Sequence, residues 1–152
     1  MNNNIVVVDA SLALKWVISE QDTDKAEHLL NRWVNAGTKI SVPALFVYEI
    51  TNIIYRKTVT RELILDEALL VLTKMFSMGV SVDFSSHEYI STQAMMQAHR
   101  FSLPAAYDAH YLALSMNKDC EFWTADKRLW NAVKGKLTWV RWLEDYEITQ
   151  DT

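Results

Sequence analysis

The stretch Ile5-Val6-Val7-Val8-Asp9-Ala10-Ser11 constrains the fold more than any other. Four β-branched residues in a row fit a strand buried on both faces, as found in parallel sheets. The run stops at a carboxylate. In open α/β sheets, ligands collect beyond the carboxyl ends of the strands, near the point where strand order reverses. Asp9 is therefore expected at such a rim. There it either caps the next helix or opens an acidic, metal-binding cluster.

The rest of the chain alternates. Residues 12–19 fit a short helix capped by Asp9 or Ser11, and residues 25–36 a second helix ended by Gly37. Residues 39–42 fit a strand. Pro43 suits a first helical position, so a third helix is expected over 43–57, and a fourth over 61–78. A strand at 80–84 precedes a helix capped by Ser85 or Ser86 and ending near Arg100. Pro104 is expected to open a helix over 105–117, followed by a strand at 121–124, a helix at 127–133 and a last strand at 137–140. The acidic tail from Glu144 is expected to fray. This alternation predicts an α/β fold of three layers, α/β/α, with a central parallel sheet. The 152 residues, half of them hydrophobic, suffice for one domain spanning 1–152.

Composition then removes several function classes. Only Gly37, Gly79 and Gly135 exist, and none follows a strand to open a helix. Both the P-loop and the dinucleotide fingerprint need such glycines. Cys120 is alone, so neither an internal disulfide nor a Cys-x-x-Cys site is expected. A net charge of −4 predicts no broad basic surface, so any nucleic-acid contact is expected to be local or helped by metal ions. No apolar run approaches the roughly 20 residues needed to cross a bilayer, and the N-terminus lacks a basic signal-peptide start. The expectation is a cytoplasmic protein.

Four acids stand in awkward places. Asp9 ends the first strand. Glu49 lies in Leu45-Phe46-Val47-Tyr48-Glu49-Ile50-Thr51-Asn52, past the first helical turn, with Asn52 on its face. Its plain alternative is a solvated stripe near Arg56. Asp108 sits in the apolar run Tyr107-Asp108-Ala109-His110-Tyr111-Leu112-Ala113-Leu114, where a buried acid needs a partner or a metal. Asp126 follows the strand Glu121–Thr124 as Asp9 follows the first, and is a helix cap or a ligand. Strand ends and early helix turns share one rim of a parallel sheet. Like charges gathered there raise one another's pKa unless a cation sits among them, and oxygen-only ligands favour Mg²⁺ or Mn²⁺ over Zn²⁺. His28, His87, His99 and His110 show no metal-ligand spacing. The six tryptophans fit core or dimer packing, with Trp16 the one candidate for base stacking.

These motifs resemble the PIN-domain family of metal-dependent ribonucleases, and within it the VapC-type toxins of toxin–antitoxin pairs. The matching pieces are Val-Val-Val-Asp9-Ala10-Ser11, Pro43 ahead of Glu49 and Asn52, the Tyr107–Leu114 run around Asp108, and Thr124-Ala125-Asp126-Lys127-Arg128-Leu129. The resemblance implies a five-stranded parallel sheet and a Mg²⁺-dependent endoribonuclease using Asp9, Glu49, Asp108 and Asp126. Asp9 and Asp108 are then the most direct ligands. Ser11 and Thr124 orient water or phosphate, or act as caps; Asn52 supports the cluster. A homodimer and a small antitoxin are also implied. The basic residues nearest the motifs are Lys15, Arg56, Arg100, Lys127 and Arg128. Two rivals remain at this point: a receiver-like signalling domain phosphorylated at Asp83, and a non-catalytic RNA- or protein-binding module. A haloacid-dehalogenase-like phosphatase would want a second Asp where Ser11 stands.

Overall fold

A computed structural model describes residues 1–149. Its five strands are β1 (Ile5–Val8), β2 (Lys39–Pro43), β3 (Ser81–Asp83), β4 (Glu121–Thr124) and β5 (Val140–Trp142). They form one sheet in the order β3-β2-β1-β4-β5, every pair parallel. The α-helices of the described residues are α1 (Ala10–Ala13), α2 (Thr23–Asn35), α3 (Leu45–Val59), α4 (Leu65–Phe76), α5 (His87–Arg100), α6 (Ala109–Lys118) and α7 (Lys127–Val133). β1 is central, and Val6, Val7 and Val8 are all buried, as its unbroken apolar run requires. Burying each such side chain contributes about 1.5–3 kcal/mol.

Successive residues of β4 face opposite sides of the sheet. Phe122 stacks against Tyr111 of α6 with centroids 5.9 Å apart, while Trp123 meets Trp33 of α2 edge-on at 6.1 Å. Helices α6 and α2 therefore cover opposite faces, which gives the three layers. Trp16 is buried and its indole N–H donates to the Ala26 carbonyl. It belongs to the core. No helix of the described residues is long and apolar enough to cross a membrane.

Several boundaries differ from expectation for local reasons. Pro43 ends β2, in register with Asp83, instead of opening α3; a strand end tolerates the missing N–H. Helix α3 runs on to Val59 and closes where Arg61 takes a left-handed φ of 62°, with Glu62 N–H donating to the Lys57 carbonyl. That turn delays α4 to Leu65. Between α5 and α6, residues 104–108 form turns, and the first bonds into α6 span three residues, from Tyr111 N–H to the Asp108 carbonyl. The last strand starts at Val140, three residues later than expected. The tail past Glu144 packs onto the domain as far as Tyr146. A 3-10 turn, Leu143–Asp145, leads to buried Tyr146, whose hydroxyl meets His28 at 2.7 Å, and Lys25 donates to the Glu144 carbonyl. The last three residues of the tail lie outside the described ones.

Candidate active site

Strand order reverses at β1, which has β2 on one side and β4 on the other. Connections leave in opposite directions there, opening the crevice where α/β sheets place ligands. Asp9 directly follows β1 and Asp126 follows β4, so both acids stand at that crevice.

Asp9 is buried, at 6% exposure. Its Oδ1 accepts from the Ser11 hydroxyl at 2.6 Å and from the Leu12 N–H at 3.1 Å, capping α1; its Oδ2 accepts from the Thr124 hydroxyl. Burial drives the Asp9 carboxyl up to about 7, against the pull of these donors, and Asp126 pushes the same way. Asp9 is thus a cap and a member of the cluster at once. Ser11 and Thr124 are not caps. Ser11 Oγ also accepts from Ala125 N–H at 3.1 Å, and Thr124 Oγ1 from Asp126 N–H at 2.9 Å. The two hydroxyls tie the end of β1 to the end of β4.

Asp126 caps α7 through Oδ1, which accepts from the amides of Arg128 and Leu129 at 2.9 and 3.2 Å. Glu49, on α3, is half-buried. Its Oε1 accepts from the Tyr111 hydroxyl at 2.5 Å, so it is held by α6 and not by Arg56. Burial raises the Glu49 carboxyl, and Asp108 and Asp126 raise it further. Asp108 occupies the N-cap position of α6 without bonding a helix amide. Burial and then Asp126 raise its carboxyl, with exposed Arg128 opposing. Tyr111 is fully buried, and burial followed by Glu49, Asp9 and Asp108 keeps its hydroxyl protonated well above the ordinary range. Asn52 is exposed and shares none of these bonds.

Each of the four acids therefore feels at least one of the others. The ion pairs among the described residues join Lys15 to Glu20, Lys57 to Glu62, Lys118 to Asp83, Arg141 to Glu121 and the N-terminus to Asp119. None takes up Asp9, Glu49, Asp108 or Asp126. Uncompensated carboxylates in partly dry surroundings make an all-oxygen donor set that suits a hard divalent cation. Among the described residues, however, no three His, Cys, Asp or Glu side chains stand close enough together to hold a metal as they are. The donor chemistry fits; binding would have to draw the acids closer. Cys120 is buried and its thiol is pushed up to about 11, so it has no nucleophilic part.

The sequence marks no partner for Tyr111, which the structure bonds to Glu49, 62 positions away. Arg128 was one of five candidate cations; only the structure singles it out as the one opposing an acid of the cluster.

A family model described as the PIN domain matches residues 6–136. No curated protein matches the chain. Two solved structures are similar in fold. PAE2754 from Pyrobaculum aerophilum is 22% identical, with 87% of each chain covered and a TM-score of 0.61. VapC20 of Mycobacterium tuberculosis, a sarcin-ricin loop cleaving toxin, is 16% identical, with 84% of this chain and 94% of that one covered and a TM-score of 0.61.

Proposed function

The chain belongs to the PIN-domain family, and from that premise we propose that it is a divalent-metal-dependent endoribonuclease hydrolysing RNA phosphodiester bonds. What supports the reading is that Asp9, Glu49, Asp108 and Asp126 influence one another electrostatically around the β1/β4 crevice and have no ion-pair partner among the described residues. Mg²⁺ is the proposed cofactor, with Mn²⁺ an acceptable substitute, held by Asp9 and Asp108 with Glu49 and Asp126 completing the set. When bound, such an ion lowers the pKa of its water and neutralises charge on the phosphate.

The chain's own side chains orient this set. Ser11, Thr124 and the Leu12 amide fix both oxygens of Asp9. Tyr111 fixes Glu49 Oε1 and leaves Oε2 without a hydrogen bond among the described residues. The helix amides fix Asp126 Oδ1, freeing Oδ2. Asp108, with no donor of its own, is the acid most able to move. Asn52, exposed one turn past Glu49, supports the substrate side of the set.

With the family and a fold like that of the toxin VapC20 as support, the proposal extends to the toxin half of a toxin–antitoxin pair; a cytoplasmic homodimer restrained by a small antitoxin is proposed with it. A short reading frame just upstream in the genome would support the pairing. The direct test is cleavage of a mixed RNA pool with Mg²⁺, with EDTA, and by Asp9→Asn. Cleavage with Mg²⁺ alone is expected. Asp9→Asn should lower it by more than about 100-fold, since even residues that only support a ligand cost 10- to 100-fold. Folded wild-type protein that leaves RNA intact with either metal would instead favour a binding module.

A further inference from the structure

On the same rim of the parallel sheet as the acids, where β2 and β3 end, lies a cavity of about 370 Å³ lined mostly by apolar atoms. Pro43, Leu45, Ile90 and Leu114 line its interior, and Tyr48, Phe84, His87 and His110 bring rings to it. Tyr48 and Phe84 are 71% and 70% exposed, unusual for large rings with an apolar hollow beside them. The cavity is continuous in sequence with the acid cluster: Tyr48 directly precedes Glu49, and His110 is two residues past Asp108 and influences Glu49 electrostatically. A third exposed ring, Tyr107, directly precedes Asp108.

We propose that this cavity takes one unpaired nucleobase of the RNA, next to the phosphate held over the acids. The inference rests on the nuclease reading for the orientation of the RNA, but not for binding itself. Its physical ground is the charge of the chain. A net charge of −4 leaves no broad basic surface for phosphates. Beyond local or metal-bridged phosphate contacts, stacking on exposed rings is the further source of affinity, and it contributes most where bases are unpaired. The polar groups left in the cavity suit reading a base edge. Ser85 and Asp83 are occupied with each other, and Asp83 also with Lys118. His110 Nδ1 is bonded to the Ala106 carbonyl, which leaves its Nε2, together with His87 and Ser91, for a ligand.

The test uses the full chain carrying Asp9→Asn, in Mg²⁺, so that binding is read without cutting. The probe is a short fluorescein-labelled single-stranded RNA of mixed sequence. Adding Phe84→Ala or Tyr48→Ala should weaken binding about 10-fold, the scale of one lost base stack, with the salt dependence unchanged because no phosphate contact is removed. An abasic strand of the same length should bind with and without Phe84 equally. Equal affinity for the mixed-sequence RNA in all three proteins overturns the proposal. So does a dimer that Phe84→Ala splits into monomers binding RNA as tightly, which assigns the face to a second copy. If the Asp9→Asn protein still cuts the probe, the assigned role of Asp9 fails while the binding comparison, made on an uncut phosphorothioate strand, still decides the cavity.

Discussion

Asp9 and Asp83 begin from the same local arrangement and end in opposite electrostatic states. Each closes a parallel strand region, and each carboxylate accepts a 2.6 Å bond from a serine hydroxyl two residues on, Ser11 in one case and Ser85 in the other. At Asp83, burial pushes the carboxyl up, but Lys118 reaches it at 2.5 Å and the balance falls below the ordinary range. At Asp9 no lysine or arginine arrives, and burial drives the carboxyl to about 7. The Asp-x-Ser sequence sets the turn. What packs above the strand end sets the charge. A family of paired acids holds a fold together, whereas an unpaired set keeps an appetite for a cation.

The largest effect expected from breaking this contrast is at Asp9. Its folded pKa is raised above the unfolded value of 3.8. Stability from this group is therefore complete below about pH 3.8 and is lost as pH rises through about 7. In metal-free protein, Asp9→Asn should be more stable than wild type at pH 8, with a ceiling on the order of 4 kcal/mol, and the advantage should shrink towards pH 4. Urea melts at the two pH values measure it. Added Mg²⁺ should stabilise wild type and not the variant. A variant less stable at both pH values would reassign Asp9 to capping alone.

Tyr111→Phe should come next. It leaves the ring stacked on Phe122 and removes only the bond to Glu49. Stability should change by about 1 kcal/mol, while the Mg²⁺ concentration needed for half-maximal cleavage should rise about 10-fold or more. An unchanged metal requirement would show that Glu49 needs no such support.

The smallest effect is expected at the paired acid. Asp83 has a lowered folded pKa, so its contribution is present above the unfolded value and lost as pH falls through the folded one. Lys118→Met should cost about 1 kcal/mol at pH 7, and the loss should vanish in strong acid. It should leave cleavage intact. A large loss of cleavage on Lys118→Met would blur the division between the two strand ends.

Much of this was legible in residue order. The apolar run before Asp9 and the strand before Asp126 announce themselves by hydrophobic pattern, and β4 and α7 fall where expected. Glu49 stands out because its helix is otherwise apolar. What could not be read are the long-range partners. Nothing near Lys118 marks it for Asp83, and nothing near Tyr111 marks it for Glu49. The receiver-like alternative at Asp83 falls because the chain is a PIN domain; the Lys118 pairing with that carboxylate does not by itself decide it. The misjudged turn at 104–108 has another cause. A proline followed by apolar residues looks the same whether the first turn is α-helical or tighter, and here Asp108 sits before α6 instead of inside it.

The order β3-β2-β1-β4-β5 also carries a lesson about time. During synthesis Asp9 emerges well before its neighbour β4, which starts only at Glu121. Until then the central strand lacks one flank, Asp9 lacks the Thr124 hydroxyl, and the rim has no fourth acid. A chain stopped before β4 is thereby left with an unfinished rim, and the four acids come together only once residue 126 has been made.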